Sequence, residues 1–100
     1  MLIAILDFEV APAQRSVALD QLLAEMPTVR EMHGNIAFRP FADTLADTKI
    51  TLVHEWEHRS DFDAYLASPC FARSGEVLRP MMTSAPISRR FEASLIEKVR

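Results

Sequence analysis
Between Ile50 and Trp56 every second residue, Ile50, Leu52, His54 and Trp56, is apolar or aromatic, and the β-branched Thr51 and Val53 lie between them. A period of two on β-branched residues is the pattern of a half-buried strand. The assignment matters because His54-Glu55-Trp56-Glu57-His58 also matches the H-E-x-x-H zinc pattern of metalloproteases. That pattern works on a helix, where two histidines four apart share a face and converge on one ion. On a strand they stand roughly 13 Å apart, and zinc, which bonds at about 2 Å, cannot bridge them. The β-branched run before His54 and a helix-start signal at Ser60 favour a strand over Thr48 to Glu57, so no metal site is expected.

The remaining elements follow from punctuation and period. Leu2 to Val10 reads as a strand, apolar on both faces over its first half: Leu2, Ala4 and Leu6 on one, Ile3 and Ile5 on the other. Pro12 opens a helix in which Leu19, Leu22, Leu23 and Met26 recur at helical spacing, and Pro27 is expected to end it. Thr28 and Glu31 suit a capping box around one further turn, and Gly34 sits where a helix closes in the left-handed conformation. Asn35 to Ala42 returns to period two, with Ile36 and Phe38 on one face and Ala37, Arg39 and Phe41 on the other. Asp43 to Asp47 forms a polar turn.

After the third strand, Ser60 with Asp63 predicts a helix N-cap and its partner, followed by the apolar Phe62, Tyr65 and Leu66. Ser68-Pro69 is a second cap, with proline at the first helical position of a segment carrying Phe71, Leu78, Met81 and Met82. Beyond Pro86, Ile87 to Ile96 alternates as a fourth strand. The order is βααββααβ, a ferredoxin-like α+β arrangement with a four-stranded antiparallel sheet covered by helices on one face.

One hundred residues make one domain, 1–100, and 49% hydrophobic residues suit a compact chain with apolar surface to hide. A net charge of −3 without a basic cluster lacks the footprint of a nucleic-acid binder. The apolar N-terminal run stops at Asp7, too short for a signal core or membrane span, and the single Cys70 forms no internal disulfide, so a cytoplasmic location is expected.

Val53-His54-Glu55-Trp56-Glu57 followed by Asp61-Phe62-Asp63-Ala64-Tyr65-Leu66-Ala67-Ser68-Pro69-Cys70-Phe71, with a Gly34-Asn35 turn ahead of the second strand, resembles the antibiotic biosynthesis monooxygenase (ABM) family. The resemblance implies a homodimeric α+β barrel in which two sheets pack face to face, which suits a first strand wanting cover on both sides. It also implies a cofactor-independent oxygenase acting on a phenolic or quinol-type substrate. Such a site needs a dry pocket, an aromatic wall and a proton acceptor. On that reading His54 is the candidate base and Trp56 its catalytic companion, while Phe38, Tyr65 and Phe71 contact a small aromatic substrate.

The departures from the family pattern are specific. Many relatives carry histidine where this chain has Tyr65 and Cys70, and some active members carry asparagine where it has Leu52. The haem-degrading branch places tryptophan at the position of Tyr65 and a ligating histidine near Gly75, neither of which is present. A non-catalytic dimeric module that binds a small ligand in the same pocket is therefore the alternative. Each residue also has a plainer role: Trp56 as a core anchor, His54 as a buried hydrogen-bonded side chain, Cys70 as an inert thiol, His33 as a solvated turn residue. Glu55 points to the opposite face, where Arg39, Arg89 or Arg90 is the expected partner.

Overall fold
The computed structural model describes residues 1–100. Strand β1 (Leu2–Glu9) leads through a 3-10 turn (Pro12–Gln14) into helix α1 (Arg15–Arg30), then to β2 (Asn35–Ala42) and β3 (Lys49–Trp56). Helices α2 (Arg59–Leu66) and α3 (Pro69–Leu78), a second 3-10 turn (Arg79–Met81) and β4 (Ile87–Glu92) complete the chain. The sheet order is β2-β3-β1-β4 with every neighbouring pair antiparallel. β1 and β2 are therefore parallel to each other with β3 between them, the ferredoxin-like topology expected from the element order.

Register explains where the core lies. Leu2 faces Trp56, Ala4 faces His54, Leu6 faces Leu52 and Phe8 faces Ile50, so these residues share one side of the sheet. Helices cover that side. Leu22 and Val29 of α1, Phe62 and Tyr65 of α2 and Leu78 of α3 bury against it. Ser68 Oγ accepts a 3.2 Å bond from the Phe71 amide, and Pro69 begins α3, as the Ser-Pro pair predicts.

Four local expectations are corrected. Helix α1 does not stop at Pro27 but runs on to Arg30, leaving a single helix where two short ones were expected. Pro27 and Leu23, one turn before it, are both exposed, so the carbonyl that proline leaves without a donor faces water. Leu23 consequently lies outside the buried stripe, which is Ala18, Leu22, Glu25 and Val29. In β2 a bulge at Ile36 inserts an unpaired residue between Asn35 and Ala37, which turns Ile36 outward while Phe38 is wholly buried.

The third correction concerns the start of α2. Its N-cap is the extended His58, with no side-chain cap bond, instead of Ser60. Glu57 donates its amide to Gly34 O at 2.8 Å, and Asp61 Oδ1 lies 2.8 Å from Nδ1 of the exposed His33, so tertiary ties to the Gly34 turn position this helix start. Gly34 itself has φ +80°, the left-handed conformation that glycine permits. Lastly, β4 ends at Glu92 instead of Ile96: its only partner is β1, and that ladder closes where Met1 and Ala93 exchange backbone bonds at 2.8 Å.

The other side of the sheet carries no helix. It presents Ile3, Ile5, Val53, Phe41, Ile87 and Phe91, with Arg89 Nη2 3.5 Å from Asp7 Oδ2. Glu55 shares this face, but none of the three expected arginines pairs with it. Arg39 lies over Phe41, Arg89 turns to Asp7, and Arg90 belongs to the helix-covered side, over Phe62. No helix is long and apolar enough to cross a membrane.

Candidate functional site
Strand β3 delivers His54 to the floor of a cavity of about 210 Å³ that lies between the sheet and all three helices and opens to the surface. A dry engineered cavity of about 150 Å³ accepts benzene, so this one has room for a substituted aromatic ring. Its opposite strand partner on β1 is Ala4, which is fully buried and contributes only a methyl group beside the imidazole. Leu6 and Leu52 extend the floor, and Phe62, Tyr65 and Phe71 form an aromatic wall. At the rim stand the side chains of Arg79, Ser88 and Arg90.

Of the residues expected at the site, His54, Tyr65 and Phe71 line the cavity. Trp56 and Phe38 do not. Both are 0 % exposed and pack behind the wall. Trp56 stacks on Tyr65 with ring centroids 5.4 Å apart, and Phe38 meets His54 edge-on at 5.7 Å. These contacts hold the wall in one arrangement.

The chemistry of His54 is decided by one hydrogen bond. Trp56 Nε1 donates to His54 Nδ1 at 3.0 Å. An indole nitrogen can only donate, so Nδ1 is the imidazole's accepting nitrogen and Nε2 carries the ring proton. Burial, reinforced by the positive charge of Arg90, pulls the His54 pKa down to about 4. His54 is therefore neutral near pH 7, with its lone pair occupied by Trp56 and an N–H as its remaining polar function.

One residue at the cavity was not singled out from the sequence. Glu25 of α1 lines it and is only 6 % exposed. Tyr65 donates its hydroxyl to Glu25 Oε1 at 3.4 Å, and the Cys70 thiol lies 3.9 Å from Oε2. Burial raises the Glu25 pKa, against smaller opposing effects of Ser74, Tyr65 and Cys70. Burial likewise pushes the Tyr65 and Cys70 groups up, with the neighbouring carboxylate adding to the shift. The legible signal was spacing: Ala18, Leu22, Glu25 and Val29 fall on one helical stripe, so a carboxyl on that stripe points inward. Arg90 was sought on the wrong face of the sheet.

His54 and His58 cannot act as a metal pair. His54 is inside the extended β3, while His58 is exposed at the α2 N-cap. No group of three or more His, Cys, Asp or Glu side chains is arranged to hold a metal ion.

No curated protein sequence matches the chain. Among solved structures, a candidate antibiotic biosynthesis monooxygenase from Deinococcus radiodurans superposes with a TM-score of 0.89 at 14% identity, over 100% of this chain and 99% of that one. The protein Rv0793 from Mycobacterium tuberculosis superposes with a TM-score of 0.85 at 18% identity, over 98% of both chains. Another antibiotic biosynthesis monooxygenase has a TM-score of 0.85 at 18% identity, covering 95% of this chain and 100% of its own. At such identities these likenesses establish the fold. The sequence model described as antibiotic biosynthesis monooxygenase matches residues 1–76, which include β1, β3, Trp56 and most of the cavity wall, and the chain belongs to the antibiotic biosynthesis monooxygenase family.

Proposed function
We propose that this protein is a cofactor-independent monooxygenase that oxidises a small phenolic or quinol-type aromatic compound with O2 in the cavity under the helices. The observation that carries the reading is the occupied lone pair of His54, which leaves its Nε2–H as a fixed donor beside an aromatic wall. A phenol ionised there is stabilised as its anion by that N–H and by the nearby Arg90 charge. The electron-rich anion then reduces O2 directly. For an anthrone-type substrate one oxygen atom becomes the new carbonyl and the other leaves as water, with the two ring-methylene hydrogens.

In this scheme His54 serves as an oxyanion donor, a different role from the base expected of it. Trp56 holds its tautomer, Phe38 packs behind it, and Tyr65 and Phe71 stack against the substrate. The helix-free apolar face, on which Ile3, Ile5 and Val53 are half-buried and Phe41, Ile87 and Phe91 exposed, supports a homodimer in which two sheets face each other.

Oxygen uptake with a panel of hydroquinones and anthrones tests the reading. Turnover by the wild type, with kcat reduced about 10²-fold or more in His54→Ala, is the expected result. The absence of a free base on His54 favours a second reading, a dimeric ligand-binding module. Ligand quenching of Trp56 fluorescence without oxygen uptake would select it.

A further inference from the structure
Glu25 is a carboxyl group in a setting where carboxyl groups are seldom left without a cation. It lies in the middle of α1 with its neighbours in the buried stripe all apolar, and it opens onto the cavity. Its neighbours are neutral donors: the Tyr65 hydroxyl and the Cys70 thiol, both at long range, and the Ser74 hydroxyl. The ion pairs of the molecule, His33 with Asp61 and Arg89 with Asp7, lie elsewhere. A leucine would pack this position without the desolvation that a carboxyl incurs, so the fold gains nothing from Glu25 that an apolar residue would not supply better.

No other side chain of the cavity is basic enough to take a phenol's proton. Arg79 and Arg90 have no lone pair to offer, Ser74, Ser88 and Tyr65 have weakly basic hydroxyls, and the His54 lone pair is taken by Trp56. We infer that Glu25 is the proton acceptor of the site, taking the hydroxyl proton of a bound phenol. The O–H bond breaks, its electron pair stays on the substrate oxygen as phenolate, and the proton forms a new O–H bond on a Glu25 carboxylate oxygen. This rests on the oxygenase reading and deepens it by naming the base.

The groups that face Glu25 do not mask its titration. Tyr65 from α2 and Cys70 from α3 are held neutral by burial, and His54 from β3 is neutral down to about pH 4. Arg79 after α3 and Arg90 from β4 are the cationic side chains at the rim. Burial moves Glu25 upward from the ordinary carboxylate range, toward the pH at which a base is most effective.

A phenolate and an ionised Glu25 repel one another, so a phenolate should bind best while Glu25 carries a proton. Binding of 2,4-dinitrophenolate, ionised throughout, is measured by calorimetry over roughly pH 5 to 9, the span open to a buried carboxyl. Wild-type Kd is expected to rise by up to about tenfold per pH unit above the Glu25 pKa. Glu25→Gln, which mimics the protonated acid, should bind tightly at every pH. The same pH dependence in both proteins overturns the inference, as does a flat wild-type profile, which decides the matter even if the variant does not fold. Absence of wild-type binding at millimolar probe overturns the inference and the pocket assignment together. With a turned-over hydroquinone, Glu25→Gln should lose about 10²-fold or more in kcat. An undiminished variant overturns the base and leaves the oxygenase standing, whereas proton-linked binding without any wild-type oxygen uptake removes the oxygenase and leaves the proton site.

Discussion
Replacing Trp56 with phenylalanine keeps an aromatic ring in place and removes the donor that fixes His54. The bond lost is 3.0 Å long and lies between two buried side chains, His54 being 4 % exposed and Trp56 0 %. Leaving His54 Nδ1 without a partner in that setting costs about 1–3 kcal/mol. The smaller ring also vacates roughly 40 Å³, which adds about 1 kcal/mol at some 24 cal/mol per Å³. The sum is about 3 kcal/mol, equivalent to a Tm lower by roughly 12–24 °C for a domain of this size. Urea unfolding of Trp56→Phe, His54→Leu and the double variant separates the two contributions. With both partners apolar nothing is left unpaired, so the double variant should be more stable than the summed single effects imply, by about 1–3 kcal/mol. Additivity to within about 0.5 kcal/mol would refute the bond, and with it the tautomer on which the oxyanion role of His54 rests.

Glu25→Gln should stabilise the protein on the alkaline side. The Glu25 pKa is raised on folding, so the native state binds its proton more tightly than the unfolded chain, and stability is lost as pH rises through the folded value. Thermal melts from acid to alkaline pH should show the variant gaining on the wild type, and parallel profiles would contradict it. Gly34→Ala should lose about 1–2 kcal/mol in urea unfolding, because alanine disfavours φ +80° and its Cβ would overlap the Asp61 carboxylate. The same change should return the His33 pKa, now raised chiefly by its hydrogen bond to Asp61, toward its ordinary value by NMR. Val53→Lys, on the open sheet face, should convert a dimer to a folded monomer in analytical ultracentrifugation. A wild-type monomer at micromolar concentration would defeat the pairing outright.

Much of the architecture was legible because its signals are local. Alternation from Ile50 to Trp56 marks a strand whatever surrounds it, since successive side chains of an extended chain point to opposite faces. Ser68-Pro69 and Gly34 act through their own backbone preferences and were equally readable. Pro27 misled for the complementary reason. Its effect depends on whether the carbonyl it strands is buried or wet, and that depends on which face of α1 meets the sheet. The bulge at Ile36 and the early end of β4 depend on pairing partners distant in the chain.

For the site, sequence was sufficient to bring His54, Tyr65 and Phe71 to one cavity, because a strand of period two and a helix stripe each specify a face. It could not assign their chemistry. Which nitrogen of His54 carries a proton is decided by a single indole two residues along the strand, at 3.0 Å. Whether Glu25 is a surface charge or a buried base is decided by the rotation of α1 against the sheet, which places it beside Tyr65 of α2, 40 residues away in the chain. The sequence alone determined the alternating faces of β1 and β3. Only the packed fold decided which polar groups were carried in with them, because hydrogen bonding and desolvation depend on neighbours that the chain order does not specify.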